Sequence, residues 1–240
     1  DNQSGTIVLK GGFNGGTVNV AGTLDASAPD SGDGGFIDTS GAHVKIAGGT
    51  QVTTKANNGS TGEWLIDPTD FTISAGSDAL TDSGIGAATL SANLEDNNIT
   101  LATIEAGTDA GDIHVDAAVS WNADHTLSLK AHNDIHINQA ITATNGGLTL
   151  DAVGAISADG AVNVDTFNLQ RGAWSQLGSS LANFSAGDFR LNTANASFIR
   201  ALGGDGAASS PYQLTDIYGV QGFASHSLLD SHLVLVNDID

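Results

Sequence analysis

Two short stretches decide the fold: Ile113-His-Val115 and Ile135-His-Ile137, which are offset by 22 residues. Each places one polar residue between two apolar ones, and this alternation is typical of a short β-strand with one buried face. The pattern recurs on both sides of them. The other examples between residues 98 and 170 are Ile99-Thr-Leu101, Leu127-Ser-Leu129, Leu148-Thr-Leu150 and Val162-Asn-Val164.

Aligning this segment with itself places apolar residues in three columns with steps of 21 or 22 residues. The columns are Ile113, Ile135 and Ile156; Val119, Ile141 and Val162; and Leu127, Leu148 and Leu169. One period shared by independent columns is the signature of a stacked repeat. The sequence therefore predicts an all-β solenoid in which parallel strands pair between coils and the three columns face inward.

The same patterns divide the chain into four segments. For residues 1–74 the sequence predicts irregular coils with a loop inserted at 27–35. For residues 75–98 it predicts a connecting segment that leaves the stack and contains a short helix around 87–94. Residues 99–170 contain the regular coils. Residues 171–240 predict continuing or capping coils, ending with Leu233–Val236 as a strand of a further, incomplete coil.

Composition excludes several classes of function. The 27 acidic and 7 basic residues give a net charge of −20, whereas phosphate binding needs clustered Lys and Arg, so we expect no nucleic-acid partner. No apolar run approaches the ~20 residues that cross a bilayer, so we expect no membrane insertion. The chain has no Cys, which suits export through a pore in the unfolded state. Because it begins without Met, we interpret it as part of a longer protein.

Two motifs resemble a known family. They are Gly35-Phe-Ile-Asp-Thr-Ser-Gly41 followed by Glu63-Trp-Leu-Ile-Asp-Pro-Thr-Asp-Phe-Thr-Ile73, and Tyr212-Gln-Leu-Thr-Asp-Ile-Tyr-Gly-Val-Gln-Gly222 followed by Leu235-Val-Asn-Asp-Ile-Asp240. Both resemble the filamentous-haemagglutinin-type exoproteins of Gram-negative bacteria, especially the high-molecular-weight adhesins exported by two-partner secretion. With the coils between the motifs, the resemblance covers almost the whole chain.

The resemblance implies a right-handed parallel β-helix, here with about 21–22 residues per coil in the central part. It implies a secreted or outer-membrane-associated surface rod that attaches to a host-cell receptor, other bacteria, a glycan or matrix polysaccharide. An outer-membrane transporter would be its partner during secretion, and the segment would follow the secretion domain. No catalytic residue and no cofactor are implied. One branch of the family binds haem-carrying host proteins such as haemopexin, and that alternative stays open.

An enzyme is the remaining alternative, because β-helical lyases and hydrolases also act on polysaccharides. Such lyases use cations to neutralise the substrate carboxylate, yet the seven Lys and Arg residues are scattered along this chain. A glycosidase needs only two carboxylates, and nothing in the sequence selects a pair among 27 acidic residues. We therefore expect no enzymatic activity.

The stretch from Trp64 to Ile73 has two interpretations, a structural plug or a platform for a ligand. Trp64 and Phe71 are large apolar groups in a chain with only 5% aromatic residues, and buried aromatic side chains usually serve packing. Asp67-Pro68 favours an extended or turn geometry that interrupts regular coiling. We predict a structural role in which this stretch ends or kinks one stack.

The candidate metal ligands are His114 and His136, which occupy the same position in successive coils. Alternation directs both imidazoles outward, one strand spacing apart, with Asp112 and Asp134 repeated at the same offset. His125 and His132 lie in the intervening coil. Two histidines form an incomplete site, so we expect at most weak Zn²⁺ or Cu²⁺ binding that is lost when the imidazoles protonate. The alternative is an exposed polar ladder without a ligand.

Overall fold

A computed structural model describes residues 5–239. Residues 1–4 of the predicted first segment and Asp240 of the second motif lie outside the described range. Strands account for 49% and helices for 7%, which confirms the all-β class. Within residues 5–239, no helix is long and apolar enough to span a membrane.

The described chain contains twenty strands and three helical segments. The strands before the first helix are β1 (Thr6–Lys10), β2 (Thr17–Val20), β3 (Thr23–Asp25), β4 (Phe36–Ser40), β5 (His43–Ile46), β6 (Gln51–Thr53), β7 (Glu63–Asp67), β8 (Phe71–Ser74) and β9 (Gly84–Gly86). The later strands are β10 (Asn98–Ala102), β11 (Ile113–Val115), β12 (Val119–Ser120), β13 (Thr126–Ala131), β14 (Ile135–Ile137), β15 (Ile141–Ala158), β16 (Val162–Leu177), β17 (Phe184–Leu191), β18 (Ala196–Ala201), β19 (Tyr212–Leu214) and β20 (Leu233–Leu235). The helical segments are α1 (Ala87–Leu94), α2 (Ile217–Gly222) and a 3-10 turn (His226–Leu228).

Sixteen of the described strands form one large sheet in which neighbouring strands are parallel. One series of paired strands runs β1, β4, β7, β10, β13, and a second contains β2, β5, β9, β8, β11, β14. The long strand β15 joins them, because successive parts of it pair with β12, β13 and β14. The sheet therefore bends around on itself and is nearly closed.

The predicted inward columns are buried. All nine side chains are at most 1% exposed: Ile113, Val119, Leu127, Ile135, Ile141, Leu148, Ile156, Val162 and Leu169. The register of the first two columns is also confirmed. Ile135 pairs with Ile113 on one side and Ile156 on the other, and Ile141 pairs with Val119 and Val162.

The third column departs from the predicted register at its last position. Leu148 pairs with Phe167, and Leu169 pairs with Leu150, so the prediction that Leu169 stacks on Leu148 is wrong. In β15, three residues separate the paired positions Ala143 and Gly147, whereas in β16 only Asp165 separates Val164 and Thr166. The shorter bend moves the later register by two residues. Since side chains alternate with period two, Leu169 still faces inward.

Strand β7 carries Trp64 and is an internal strand of the sheet, which corrects the prediction that this stretch ends a stack. It pairs with β4 on one side and β10 on the other. Trp64 is fully buried, and its Nε1 donates to Thr39 Oγ1 at 3.1 Å. Pro68 follows the last residue of β7, so its missing N–H removes no hydrogen bond from the sheet. The predicted packing role of Trp64 and Phe71 agrees with their complete burial.

The predicted helix near residues 87–94 is present as α1, and it lies between two strands. It contacts β6 on one side and β12 on the other. On the β6 side, Asn93 Oδ1 accepts from Val52 N at 2.7 Å, and Asn97, just beyond the helix, accepts from Thr54 N at 2.6 Å and donates to Val52 O at 2.7 Å. These side-chain amides bind backbone groups that a neighbouring strand would otherwise satisfy.

Strand pairing continues beyond Gln170. Strand β16 pairs with β17 and β18, and an aromatic cluster fills the space between these strands. Its rings have centroids 5.0–6.0 Å apart and belong to Phe167, Trp174, Phe184, Phe189 and Phe198. The predicted strand at Leu233–Val236 is present as β20, but it pairs with β19 in a separate sheet of two strands. The loop at 27–35 contains no strand, as predicted.

Candidate functional site

His114 and His136 form a stacked pair on the outer side of β11 and β14. Their backbones are directly paired, their ring centroids are 4.7 Å apart and their ring planes differ by 11°. Both side chains are half-buried, because the flanking apolar residues point into the core while the imidazoles point away from it. The predicted stacking of the two rings is confirmed.

The carboxylate of Asp112 lies close to both imidazoles. Potential ligand atoms of Asp112, His114 and His136 all lie within 4.8 Å of one another. The sequence also places Asp134 beside the histidines, but Asp134 is not part of the cluster, and its Oδ1 accepts from Ala155 N at 2.7 Å.

Asp112 is held in place by a hydrogen-bond pattern that repeats from turn to turn. Its Oδ1 accepts from Asn133 Nδ2 at 2.8 Å and from Asp134 N at 3.0 Å. Asp70 performs the same role before β8, the strand that pairs with β11, accepting from Gly111 N at 2.7 Å and Asp112 N at 2.8 Å. Gly111 adopts φ +88°, a backbone conformation that favours glycine.

The contribution of Asp70 was missed in the sequence, although a signal was present. Asp70-Phe71-Thr-Ile73 matches Asp112-Ile-His-Val115 and Asp134-Ile-His-Ile137, each being an acid followed by an alternating apolar pair. In the structure Phe71 pairs with Ile113, which pairs with Ile135. The offset of 42 residues between the first two copies hides this relation from a search at 21 or 22 residues.

A hydroxyl group orients one of the histidines. Ser157, which pairs with His136 in the sheet, has its Oγ 3.0 Å from His136 Nδ1. In the tautomer in which Nδ1 donates this bond, Nε2 carries the free lone pair. This is the arrangement in which an outer partner fixes the ring of a metal-binding histidine.

The two intervening histidines have other contacts. His125 is buried, with Nδ1 2.8 Å from Leu94 O and Nε2 3.2 Å from Thr61 Oγ1. His132 is exposed, and its Nε2 lies 3.4 Å from Glu105 Oε2. Neither belongs to the cluster, which is the one group of three acidic or histidine ligands found within residues 5–239.

A second candidate surface is a shallow polar groove on the outer side of β7, β10 and β13. It has a volume of about 580 Å³ and is lined by the polar side chains of Thr61, Glu63, Asn98, Thr100, Thr126 and Ser128, together with Phe36 and three glycines. The Thr100 hydroxyl donates to Glu63, and Asn98 Oδ1 accepts from Thr126 N at 2.9 Å. We name this surface the polar groove.

A third polar cluster surrounds Asp67 at the end of β7. The Ser40 hydroxyl donates to Asp38 Oδ1, and Lys10 Nζ lies 3.0 Å from Asp38 Oδ2. Asp67 Oδ1 is buried without a hydrogen-bond partner among the described residues. Burial raises the pKa of the Asp67 carboxyl, the neighbouring Asp38 carboxylate raises it further, and Lys10 lowers it. Ionised Asp67 therefore weakens the folded state.

The first prediction is that Asp67→Asn stabilises the protein at pH 7, by about 1 kcal/mol in the free energy of unfolding. The folded-state pKa is raised, so the cost of the carboxylate is present above that pKa and disappears as the pH falls toward the ordinary value of 3.8. Urea unfolding of both proteins at several pH values measures the difference. We expect it to shrink as the pH is lowered from 7 to 4.

The exposed Asp82 supplies the control, since Asp82→Asn should change stability by less than about 0.5 kcal/mol. A destabilised Asp67→Asn protein at pH 7 would contradict the prediction. So would a gain that is the same at every pH, because it would not arise from ionisation.

Most cationic side chains are neutralised by carboxylates. Five of the seven form ion pairs: Lys10, Lys55, Arg171, Arg190 and Arg200. Arg200 is buried, with Nε 2.7 Å from Asp216 Oδ2 and Nη1 2.6 Å from Gln176 Oε1. The five paired cations do not converge on a common groove.

Comparison with protein-family models, with curated proteins and with solved structures finds no match to this chain.

Proposed function

We propose that this chain is a non-catalytic segment of a large secreted or surface-exposed bacterial adhesin, acting both as a rod and as a binding surface. The observation that carries the proposal is the regular division of the paired strands into apolar inner rows and polar outer rows. The outer row is polar from Thr72 through His114, His136 and Ser157 to Ser175, and Ile199 of β18 follows it. Such a surface can offer side chains to a ligand without disturbing the core.

We further propose that the strands coil as a right-handed parallel β-helix. The 18-residue strand β15 supports this arrangement, because it meets β12, β13 and β14 in turn along one continuous stretch. A chain that pairs with three earlier strands in this way travels once around a common core. Connections between parallel strands are right-handed in nearly all known cases. An experimental structure with left-handed coils would contradict the handedness.

The chemistry of the outer surface favours ligands that form hydrogen bonds. All three Trp residues are buried at 2% exposure or less, so none can serve as an exposed platform for a sugar ring. The polar groove instead offers hydroxyl, amide and carboxylate groups beside the half-buried Phe36. These groups match the hydroxyl-rich surface of a glycan on a host-cell receptor, another bacterium or matrix polysaccharide. The two quoted sequence motifs add the resemblance to adhesins that use an outer-membrane transporter.

The pairing of cations with carboxylates favours binding over polysaccharide cleavage. Arg171 lies 2.6 Å from Asp151, and Arg200 is buried against Asp216. A lyase needs free cations near one another to bind an acidic sugar and stabilise the charge formed when a proton is removed. The described surface offers no such group of cations.

The second prediction is that the purified chain binds host cells or a defined class of glycan and does not cleave it. The experiment screens a glycan panel, host cells and haemopexin, with an assay for oligosaccharide release run in parallel. Ser128→Arg places a long charged side chain in the polar groove and should reduce glycan binding at least about tenfold. Ser180→Arg, at an exposed serine outside both the polar groove and that outer row, is the matched control and should leave binding unchanged.

The outcomes separate the candidate functions. Release of oligosaccharide products would favour the lyase or hydrolase, and binding of haem or haemopexin would favour the haem-acquisition branch. Glycan binding that survives Ser128→Arg would reject the polar groove as the contact surface. Absence of binding in every assay would overturn a binding role and leave the segment as a spacer within a longer rod.

A further inference from the structure

We propose that Asp112, His114 and His136 form a binding site for a divalent late first-row transition metal, with Zn²⁺ as its simplest occupant. This inference goes beyond the proposed adhesin function and does not depend on it. The site lies on the outer side of β11 and β14, where the stacked pair of imidazoles meets the carboxylate of the preceding turn.

The donor set selects the class of metal. Two imidazole nitrogens and one carboxylate oxygen suit Zn²⁺, Cu²⁺ or Ni²⁺, whereas Ca²⁺ and Mg²⁺ take oxygen ligands. Zinc bonds to such ligands are about 2.0–2.2 Å long, which requires the three ligand atoms to lie within roughly 3.5 Å of one another. They already lie within 4.8 Å, so side-chain rotation supplies the remaining approach.

Two of the three ligands are already oriented by outer contacts. The Oδ1 atom of Asp112 is fixed by Asn133 and by the backbone of Asp134, and the structure shows no hydrogen bond from another described residue to Oδ2. Because His136 Nδ1 contacts Ser157 Oγ, Nε2 is the ring nitrogen that stays available to a metal. Ligands that are held before the metal arrives lose less conformational entropy on binding.

The local charge favours cation capture. Asp116 lies two residues after His114, and Asp134 lies two residues before His136, so both acids are on the same outward side as the histidines. Asp116 Oδ1 accepts from Asn138 Nδ2 at 2.7 Å. The chain carries a net charge of −20, which raises the concentration of cations near its surface. Desolvation is modest, because all three ligands are only half-buried.

The site has three protein ligands and faces solvent, so a tetrahedral metal would keep one position for water. In this respect it resembles open zinc sites and differs from closed structural sites, which have four protein ligands. The fold is formed by the sheet without the metal, so we expect the metal to bind to an already folded chain. Removing the metal should therefore leave the secondary structure intact.

The third prediction is that Zn²⁺ alone, titrated into the whole chain in a calorimeter, binds with a stoichiometry of one per chain. His136→Ala and Asp112→Asn should each weaken binding at least about tenfold, and Ser157→Ala should weaken it by about tenfold through the loss of the outer contact. His132→Ala is the matched control, since it removes one imidazole from an adjacent turn outside the cluster. It should retain the affinity of the unmodified chain.

A second measurement uses the unmodified chain, so it stands even if a variant fails to fold. Zn²⁺ should shift the NMR signals of the His114 and His136 rings and leave those of His125 and His132 in place. Equal affinity in the unmodified chain and in folded His136→Ala would overturn the site. Absence of both binding heat and ring shifts would overturn it as well, as would an equal loss of affinity in the His132→Ala control.

Discussion

Replacing Ile135 by Asp will prevent the central strands from folding. Ile135 is completely buried on β14, directly between Ile113 of β11 and Ile156 of β15. A carboxylate at this position would be buried without a partner, and the chain would unfold rather than accept that cost. We expect a loss of at least about 4 kcal/mol, which is a large part of the total stability of an ordinary domain.

Thermal unfolding followed by circular dichroism, together with limited proteolysis, measures this effect. Because neighbouring strands stack on one another, cleavage should appear in β11 and β15 as well as in β14. Ile135→Val is the matched control, and removal of one methylene should cost only about 0.5–1.5 kcal/mol. An unchanged melting temperature in Ile135→Asp would contradict the stacked arrangement.

Replacing Asn97 by Ala will have the second largest effect, although Asn97 is neither apolar nor part of a strand. Its side chain is completely buried and makes four hydrogen bonds, to Thr54 N, Thr54 Oγ1, Val52 O and Asn93 O. Alanine leaves these buried groups without partners, at about 1–3 kcal/mol for each group that water cannot reach. We expect a loss of at least about 3 kcal/mol, measured by urea unfolding.

Two further variants test the reason for this loss. Asn97→Asp keeps an oxygen acceptor but cannot donate to Val52 O, and it buries a charge, so it should be as damaging as Asn97→Ala. Asn58→Ala removes an exposed amide that donates to Asp30 O at 2.9 Å, and it should cost less than about 1 kcal/mol. A loss below 1 kcal/mol for Asn97→Ala would show that helix α1 does not close the edge of β6 in this way.

The candidate metal site could be predicted in part. The 22-residue offset placed His114 directly beside His136, and the structure stacks the two rings at 4.7 Å. The choice between Asp112 and Asp134 could not be made from the offset, because both acids repeat with the histidines. It depends on which carboxylate lies close to both imidazoles in the folded chain, and that carboxylate belongs to Asp112.

The sequence by itself determined the all-β class, the parallel stacking period of the central strands and which face of each strand is buried. These features depend on side-chain alternation with period two and on a sequence repeat of constant length, and both can be read directly from the sequence. The burial of Leu169 followed from alternation alone.

Only the tertiary structure decided where the repeat is interrupted. The pairing of Leu148 with Phe167 depends on a bend that is two residues shorter in β16 than in β15. The place of α1 between β6 and β12 depends on hydrogen bonds that Asn93 and Asn97 accept from the backbone of residues more than 40 positions earlier. Neither feature leaves a periodic trace in the sequence. A polar turn can change its length without altering the alternation of the strands on either side of it.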